Sequence, residues 1–466
     1  MKNIFLIALS GMLMISSVSC DDFLTETPSV SIPDNQAFNT SQDYTNALNG
    51  LYQTLGRYSF LGRNILAMGD ASSDLAAHTA ATSHFYNIFR YQVLDTNTYL
   101  EEIWGTGYYA IDRASRIIAA SETSVHFTES ESVVVNRCVA QAYAVRALSS
   151  FYLVNYFGLP YSDANKSTLG IVNVTKPVAA FEQIKRSTVG ENYDQILSDI
   201  AKAKEYFAKE GVEDVDYIFM NKAAVSALEA RVKLYMKDYN GAIVAANQAI
   251  ALKDGAIVSS KEDYIQLYRS LVISDEDIFV IAKSATDYLS ANSLNTLYGN
   301  YGMSLNESTI AEYPSTDIRL ALLGGEWKGG KMAGVFANNQ VSNLPVFRLP
   351  EMYLTLAEAY AKTNKFAEAK QSLLEVAAKR NPALEDSDIP EDATIISFIN
   401  KERKLELAQE GHRFLDARRL GEKISVGNGT YKNFDVSKFV YPIPAKEVNA
   451  GFGVVQTTSW DANLPK

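Results

Sequence analysis

The sequence predicts a mostly α-helical fold in which about four helix pairs stack as hairpins beside an irregular, loop-rich half. Three observations predict it. Apolar residues recur at helical spacing over 43–55, 101–120, 133–157 and 191–208. Two compact helical hairpins, 221–252 and 351–379, superimpose on one template. Between them, and again over 56–100, glycines and aromatics gather without a sustained period. The 466 residues are 47% hydrophobic and 21% charged, enough apolar mass for a core, while 26 Gly, 12 Pro and 2 Cys exclude collagen-like, disordered and disulfide-scaffold classes. Lys+Arg 43 against Asp+Glu 54 leaves a net charge of −11, a poor match for nucleic acid.

Residues 1–19 read as a signal peptide. Lys2 supplies a minimal positive start, and the apolar run over 4–18 is too short to span a bilayer. Ser16-Ser17-Val18-Ser19-Cys20 resembles a bacterial lipobox, with Ser17 where Leu is usual. That resemblance implies cleavage before Cys20 and lipid attachment to its thiol, so the chain is anchored by acyl chains, not spanning. Residues 20–40 are polar, carry Pro28 and Pro33, and read as a lipidated tether. A single domain is expected over 41–466. Its scaffold lies mainly in 41–55, 101–157, 191–252 and 350–420, with loop-rich insertions at 56–100, 158–190 and 274–346.

Within that domain Ser41 is placed to cap a helix over 43–55, whose stripe is Tyr44, Leu48 and Leu51. Ile103, Trp104, Tyr108, Ile111 and Ile118 mark the helix over 101–120, and Trp104 reads as core. The helix over 133–157 stops at Gly158 and Pro160; its apolar face takes Val139, Tyr143 and Leu153, with only the stem of Arg146 against it. Cys138, in the same pattern, behaves as a small hydrophobe. Residues 277–282 read as a short strand opening the least regular stretch, and 394–420 as a charged helix and turn. No later window holds eighteen uncharged apolar residues, so no transmembrane helix is expected.

The two hairpins carry a specific spacing. Ala230, Tyr239, Ala242, Ala246, Ala249 and Ile250 fall where Ala357, Phe366, Ala369, Leu373, Val376 and Ala377 fall, by one constant shift. Small residues where two helices touch, with an aromatic at the turn, are the tetratricopeptide pattern. Paired as 43–55 with 101–120 and 133–157 with 191–208, the other helices complete a curved stack, and the loop-rich stretches must lie together outside it.

Nearly end to end, the chain resembles the SusD/RagB family of surface lipoproteins of Bacteroidota. Cys20 followed by Asp21-Asp22-Phe23-Leu24 resembles the family start. Trp104, Tyr108 and Ile111 resemble its first-repeat helix, with Ser115 in place of the usual Asn. Arg137, Ala140, Ala142, Arg146-Ala147 and Phe157-Gly158-x-Pro160 resemble its next. Asp317-x-Arg319, Arg348-x-x-Glu351 leading to Ala357-Glu358-Ala359, and the run from Glu402-Arg403 to Asp416-x-Arg418 resemble its later motifs, as does Tyr441-Pro-Ile-Pro444, after which Ala450 replaces a common Pro. The resemblance implies a helical scaffold under an irregular ligand-binding half. It implies a protein that caps a TonB-dependent, SusC-like transporter of the outer membrane and captures oligosaccharide, or, as in RagB-like members, peptide. Neither role needs an enzyme, a cofactor or a nucleic-acid partner.

Flat aromatics beside amides suit a sugar, whose C–H face packs on a ring while its hydroxyls need donors and acceptors. Tyr298, Asn300, Tyr301 and Trp327 offer that composition, and the resemblance extends the candidates to Tyr86, Asn87 and Arg90. The carboxylates of 402–418 lie along one helix and cannot flank a bound sugar, so they read as ion pairs tying that helix to its neighbours. Gly325-x4-Gly330-Lys331 mimics a phosphate loop, but Met332 stands where Ser or Thr is needed. Four histidines without HExxH spacing give no metal site.

Overall fold

The computed structural model describes residues 37–122, 126–323, 329–458 and 460–465. The signal peptide, Cys20, most of the tether and Trp327 lie outside the described residues.

Helices dominate, and sharp polar signals start several of them. Helix α1 (Ser41–Leu55) is capped by Thr40, not Ser41, because Asp43 three residues on returns the bond to the Thr40 N–H. A buried helix α2 (Asn64–Ala71) follows. Then come α3 (Thr98–Ser121), capped by Asn97, and α4 (Glu129–Phe157) and α5 (Val189–Phe207). Thr128 with Glu131 and Thr188 with Glu191 repeat the reciprocal cap, which starts the latter two helices earlier than apolar spacing alone suggests. Helices α6 (Lys222–Met236) and α7 (Tyr239–Lys253) form the first compact hairpin, turned by Lys237 at φ 63° and capped by Asp238. After α8 (Lys261–Arg269) and α9 (Leu294–Gly299), the second hairpin is α10 (Leu349–Lys362) and α11 (Phe366–Arg380). The charged segment is two helices, α12 (Ile395–Glu406) and α13 (Arg413–Leu420). Gln409 and Gly411, both with positive φ, turn the chain between them.

Each scaffold helix packs on the next, from α1 through α3, α4, α5, α6 and α7 to α10, α11 and α12. The contact of α7 with α10 spans the long insertion, so the separated hairpins are neighbours in one mostly helical, tetratricopeptide-like stack. Ala230, Ala242, Ala246, Ala249, Ala357 and Ala369 are fully buried there, as their spacing predicts.

Among the described residues there are three two-stranded antiparallel sheets, two of them within or between the loop-rich stretches. Strand β1 (Ala76–His78), from the first stretch, pairs β3 (Met303–Leu305), from the second, and so brings the two together. Strand β2 (Asp277–Ile281) pairs β4 (Leu344–Arg348), both wholly buried, and β5 (Lys423–Val426) pairs β6 (Tyr431–Asp435) as a hairpin.

The loop half shares one hydrophobic core with the scaffold, and buried charge ties the two further. Glu406, at the end of α12, accepts from Arg348 and Arg380 at 3.0 Å and from Arg319 at 3.1 Å. Glu276 bonds Arg348 and Arg380, and Glu410 bonds Arg348 and Lys331. Burial alone would push Glu406 up; Arg380, Arg348, Lys331 and Arg319 outweigh it and hold the carboxyl well below its ordinary range. Further along, Arg231 grips Glu351 with two bonds of 2.7 Å, and Arg419 joins Glu358 to Asp416. Arg146 is buried head and stem, contrary to the expectation that only its stem would be. Asp199 takes its fork at 2.7 and 2.8 Å, and Ser115 accepts a third bond. No helix among the described residues is long and apolar enough to cross a membrane.

Candidate ligand-binding site

Two open pockets border the loop that follows β1. The backbone N–H of Thr79 donates to the Gly302 carbonyl at 2.9 Å, and the Thr82 hydroxyl donates to the Tyr301 carbonyl at 2.8 Å. The loop then ends in His84, whose ring stacks on Tyr301 with centroids 4.2 Å apart and planes 11° from parallel. His78 holds the loop from inside: its Nδ1 accepts from Ala80 N–H, so Nε2 carries the proton toward the His84 carbonyl at 2.9 Å. Gly302 sits at φ +86°, and a Cβ there would collide with the Thr79 hydroxyl.

The first pocket, about 550 Å³, is lined by Tyr58, Arg63, His84, Asn87, Asn97, Tyr99, Glu102 and Asn292 among others. It is set by the turn before α2 and the start of α3. Asn64, first residue of α2, accepts from Arg63 Nε at 2.9 Å and donates to Glu102 on α3 at 2.7 Å. The Tyr58 hydroxyl donates to the other Glu102 oxygen at 3.3 Å. Phe85 stacks on Tyr99 at 3.9 Å, and the Arg63 guanidinium lies 4.9 Å from the Tyr58 ring centre. Burial lowers the His84 pKa, helped by the nearby Arg63 and His78, so its imidazole is neutral at neutral pH.

The second pocket, about 470 Å³, is lined by Thr79, Tyr298, Asn300, Ser304, Gly330 and Gln409 among others. Gln409 fastens its rim, donating to the Gly329 carbonyl at 2.8 Å and accepting from Lys331 N–H at 2.9 Å.

The sequence-predicted residues divide between these places. Asn87 is exposed in the first pocket and Asn300 in the second. Tyr301 is half-buried on His84. Tyr298 reaches the second pocket but is only 4% exposed, and its hydroxyl donates to Asp70 at 2.7 Å. Tyr86 packs on the His78 ring, and Arg90 bonds Thr430 at 3.2 Å on the β5–β6 turn, so neither is among the residues lining the two pockets. Trp327 lies outside the described residues. Arg63, Tyr58, Tyr99 and Glu102 escaped sequence reasoning, having no motif and meeting only through the fold. His84, next to Phe85-Tyr86-Asn87, carried the one usable signal.

The phosphate-loop mimic is accounted for: Lys331 is buried and bonds Glu410 at 2.6 Å. The motifs behind the family resemblance also lie in the core. Asp317 and Arg319, Arg348 and Glu351, and Glu402, Arg403, Glu406, Glu410 and Asp416 belong to the buried charge networks, while Arg418 bonds backbone carbonyls.

The family model described as "Starch-binding associating with outer membrane" matches residues 22–234, and that described as "SusD family" matches residues 330–460. The chain belongs to the SusD/RagB family. A SusD-like relative, "SusD-like protein P2" of Formosa agariphila, is 24% identical over 94% of this chain and 95% of its own length. A SusD superfamily structure from Bacteroides vulgatus superimposes with a TM-score of 0.81 at 26% identity, covering 91% of this chain and 100% of that one. Another from Bacteroides fragilis does so with a TM-score of 0.77 at 26% identity, covering 90% and 99%. The SusD scaffold thus accounts for the mostly helical, tetratricopeptide-like stack.

Proposed function

We propose that this SusD-like protein is a non-catalytic, cell-surface lipoprotein of the outer membrane that captures oligosaccharides and passes them to a SusC-like TonB-dependent transporter. Cys20 carries the lipid, 20–40 is the tether, and 41–466 acts as one domain. The observation that carries the reading is the composition of the first pocket. Amides and hydroxyls of Asn87, Asn97, Thr98 and Asn292 stand beside the rings of Tyr58 and Tyr99, which matches a saccharide's alternation of hydroxyls and C–H faces. The family description as starch-binding and outer-membrane associated supports it. Tyr301, Asn300 and Tyr298 extend the site toward the second pocket, Tyr86 and Arg90 act from behind the β1 loop, and Trp327 is a further proposed contact of the ligand.

A binding role also fits the carboxylates. Glycoside hydrolysis by the common route uses two carboxyl groups flanking the bond. Glu102 is the carboxylate of the first pocket, and its oxygens already accept from Tyr58 and Asn64.

The test is to incubate purified mature protein with oligosaccharide and peptide panels, reading binding and turnover together. Saccharide binding without cleavage is expected. Cleavage sinks the binding role, and capture of peptides alone moves the protein to the RagB-like role. Co-purification of a TonB-dependent transporter with the lipidated protein tests the partner.

A further inference from the structure

Arg63 is 4% exposed and lines the first pocket, yet its fork is not used inside the protein. Its Nε donates to Asn64, and it lies against the rings of Tyr58 and Phe85. Among the described residues its two terminal nitrogens have no hydrogen-bond acceptor and no carboxylate within ion-pair distance. The rest of the molecule treats buried guanidinium groups differently. Those of the charge networks meet carboxylates. Arg186 and Arg418, which lack carboxylates, bond several backbone carbonyls each. The terminal nitrogens are not sealed in the core but open on the pocket, where their planar donor pair fits an oxyanion with two oxygens. The charged neighbour Glu102 does not fill the role, since its oxygens face Tyr58 and Asn64. His84, also in the lining, carries no negative charge in either protonation state.

We propose that the pocket selects acidic oligosaccharides. The oxyanion of the sugar, a uronate carboxylate or a sulfate ester, seats on the terminal nitrogens of Arg63, while the surrounding amides take the hydroxyls of the same ring. This rests on the oligosaccharide reading of the pocket given above. Selection comes from this local contact, because a chain of net charge −11 does not draw anions from a distance.

The experiment is calorimetric titration of the mature protein with uronate and sulfated oligosaccharides, each beside its methyl-esterified or desulfated counterpart, and with an acidic peptide. One acidic form is expected to bind roughly tenfold or more tighter than its neutral counterpart. Whether esterification or desulfation erases the advantage tells carboxylate from sulfate, and this comparison needs no variant. Arg63→Gln is expected to abolish the preference and Arg63→Lys to retain part of it, with circular dichroism melts confirming that both fold. Neutral counterparts binding as tightly as the acidic forms, or Arg63→Gln keeping the preference, overturns the inference and leaves oligosaccharide capture standing. Binding of no oligosaccharide overturns both. Arg63-dependent binding of the peptide alone overturns the saccharide class.

Discussion

Asp70 is fully buried beneath the second pocket, with Tyr298 donating to one oxygen at 2.7 Å and Gly411 N–H to the other at 3.3 Å. Burial pushes its pKa from 3.8 up to about 7, against the two hydrogen bonds that favour the charged form. The folded protein therefore holds a proton that the unfolded chain has already released, so this group costs stability as pH rises from about 4 to about 7. Thermal melts of Asp70→Asn across that window are expected to show a shallower fall with rising pH than the unaltered protein; an unchanged slope would mean Asp70 is ionised in the fold. A second prediction at this scale concerns the His84–Tyr301 stack. Tyr301→Ala removes the ring that holds the loop between the pockets, and saccharide affinity is expected to fall roughly fivefold, as losing an aromatic pair worth about 1 kcal/mol implies. Titration calorimetry on a variant with an unaltered melting curve reads it.

At the scale of elements, what could be read from the chain follows from what each element shows to solvent. The scaffold hairpins were legible because each helix has a buried and a wet face, so Ala242, Ala246 and Ala249 recur at the spacing of a contact stripe. Helix α2 was not legible: every residue from Asn64 to Ala71 is buried, so no face alternates and the segment reads as loop. The same holds for the short helix α9, hidden among glycines, which explains why Tyr298 looked like an exposed platform. Arg63 and Glu102 stand on different elements, and only the packing of α2 against α3 makes them one wall. The β1–β3 junction yields a third prediction. Gly302→Ala forces an L side chain to φ +86° against Thr79, a strain on the order of 1–3 kcal/mol. Saccharide affinity is expected to drop further than the melting temperature, because the strained segment borders both pockets while the helical stack is untouched. Equal affinity in the variant would show that the loop's position does not matter to the ligand.

On the scale of the whole molecule, buried charges join the loop half to the scaffold beside a shared hydrophobic core. They were half legible: charge spacing predicted that the segment after 394 ties itself to neighbours by ion pairs, but not that its partners would include Arg319, Arg348 and Arg380. Those partners come from a short helical turn, strand β4 and the last residue of α11, and burial as complete as that of Glu406 has no local signature. Such a network is not extra stability, since desolvating the charges offsets most of their attraction; removing one member is what costs, because the others stay buried and uncompensated. Glu406→Gln leaves Arg380, Arg348 and Arg319 facing a neutral group, and a loss of about 3–5 kcal/mol is expected at neutral pH. Its pH course follows from sign. The folded-state pKa of Glu406 lies well below 4.5, so its contribution is fully present above the unfolded value and is lost as pH falls through the folded one. Denaturant unfolding from pH 7 down to pH 3 is therefore expected to show the unaltered protein converging on Glu406→Gln below about pH 4.5, while the gap at pH 7 stays nearly constant as salt is raised, because the pair is out of reach of screening ions. A gap that closed with salt at pH 7 would place Glu406 at the surface and separate the loop half from the stack that is argued to carry it.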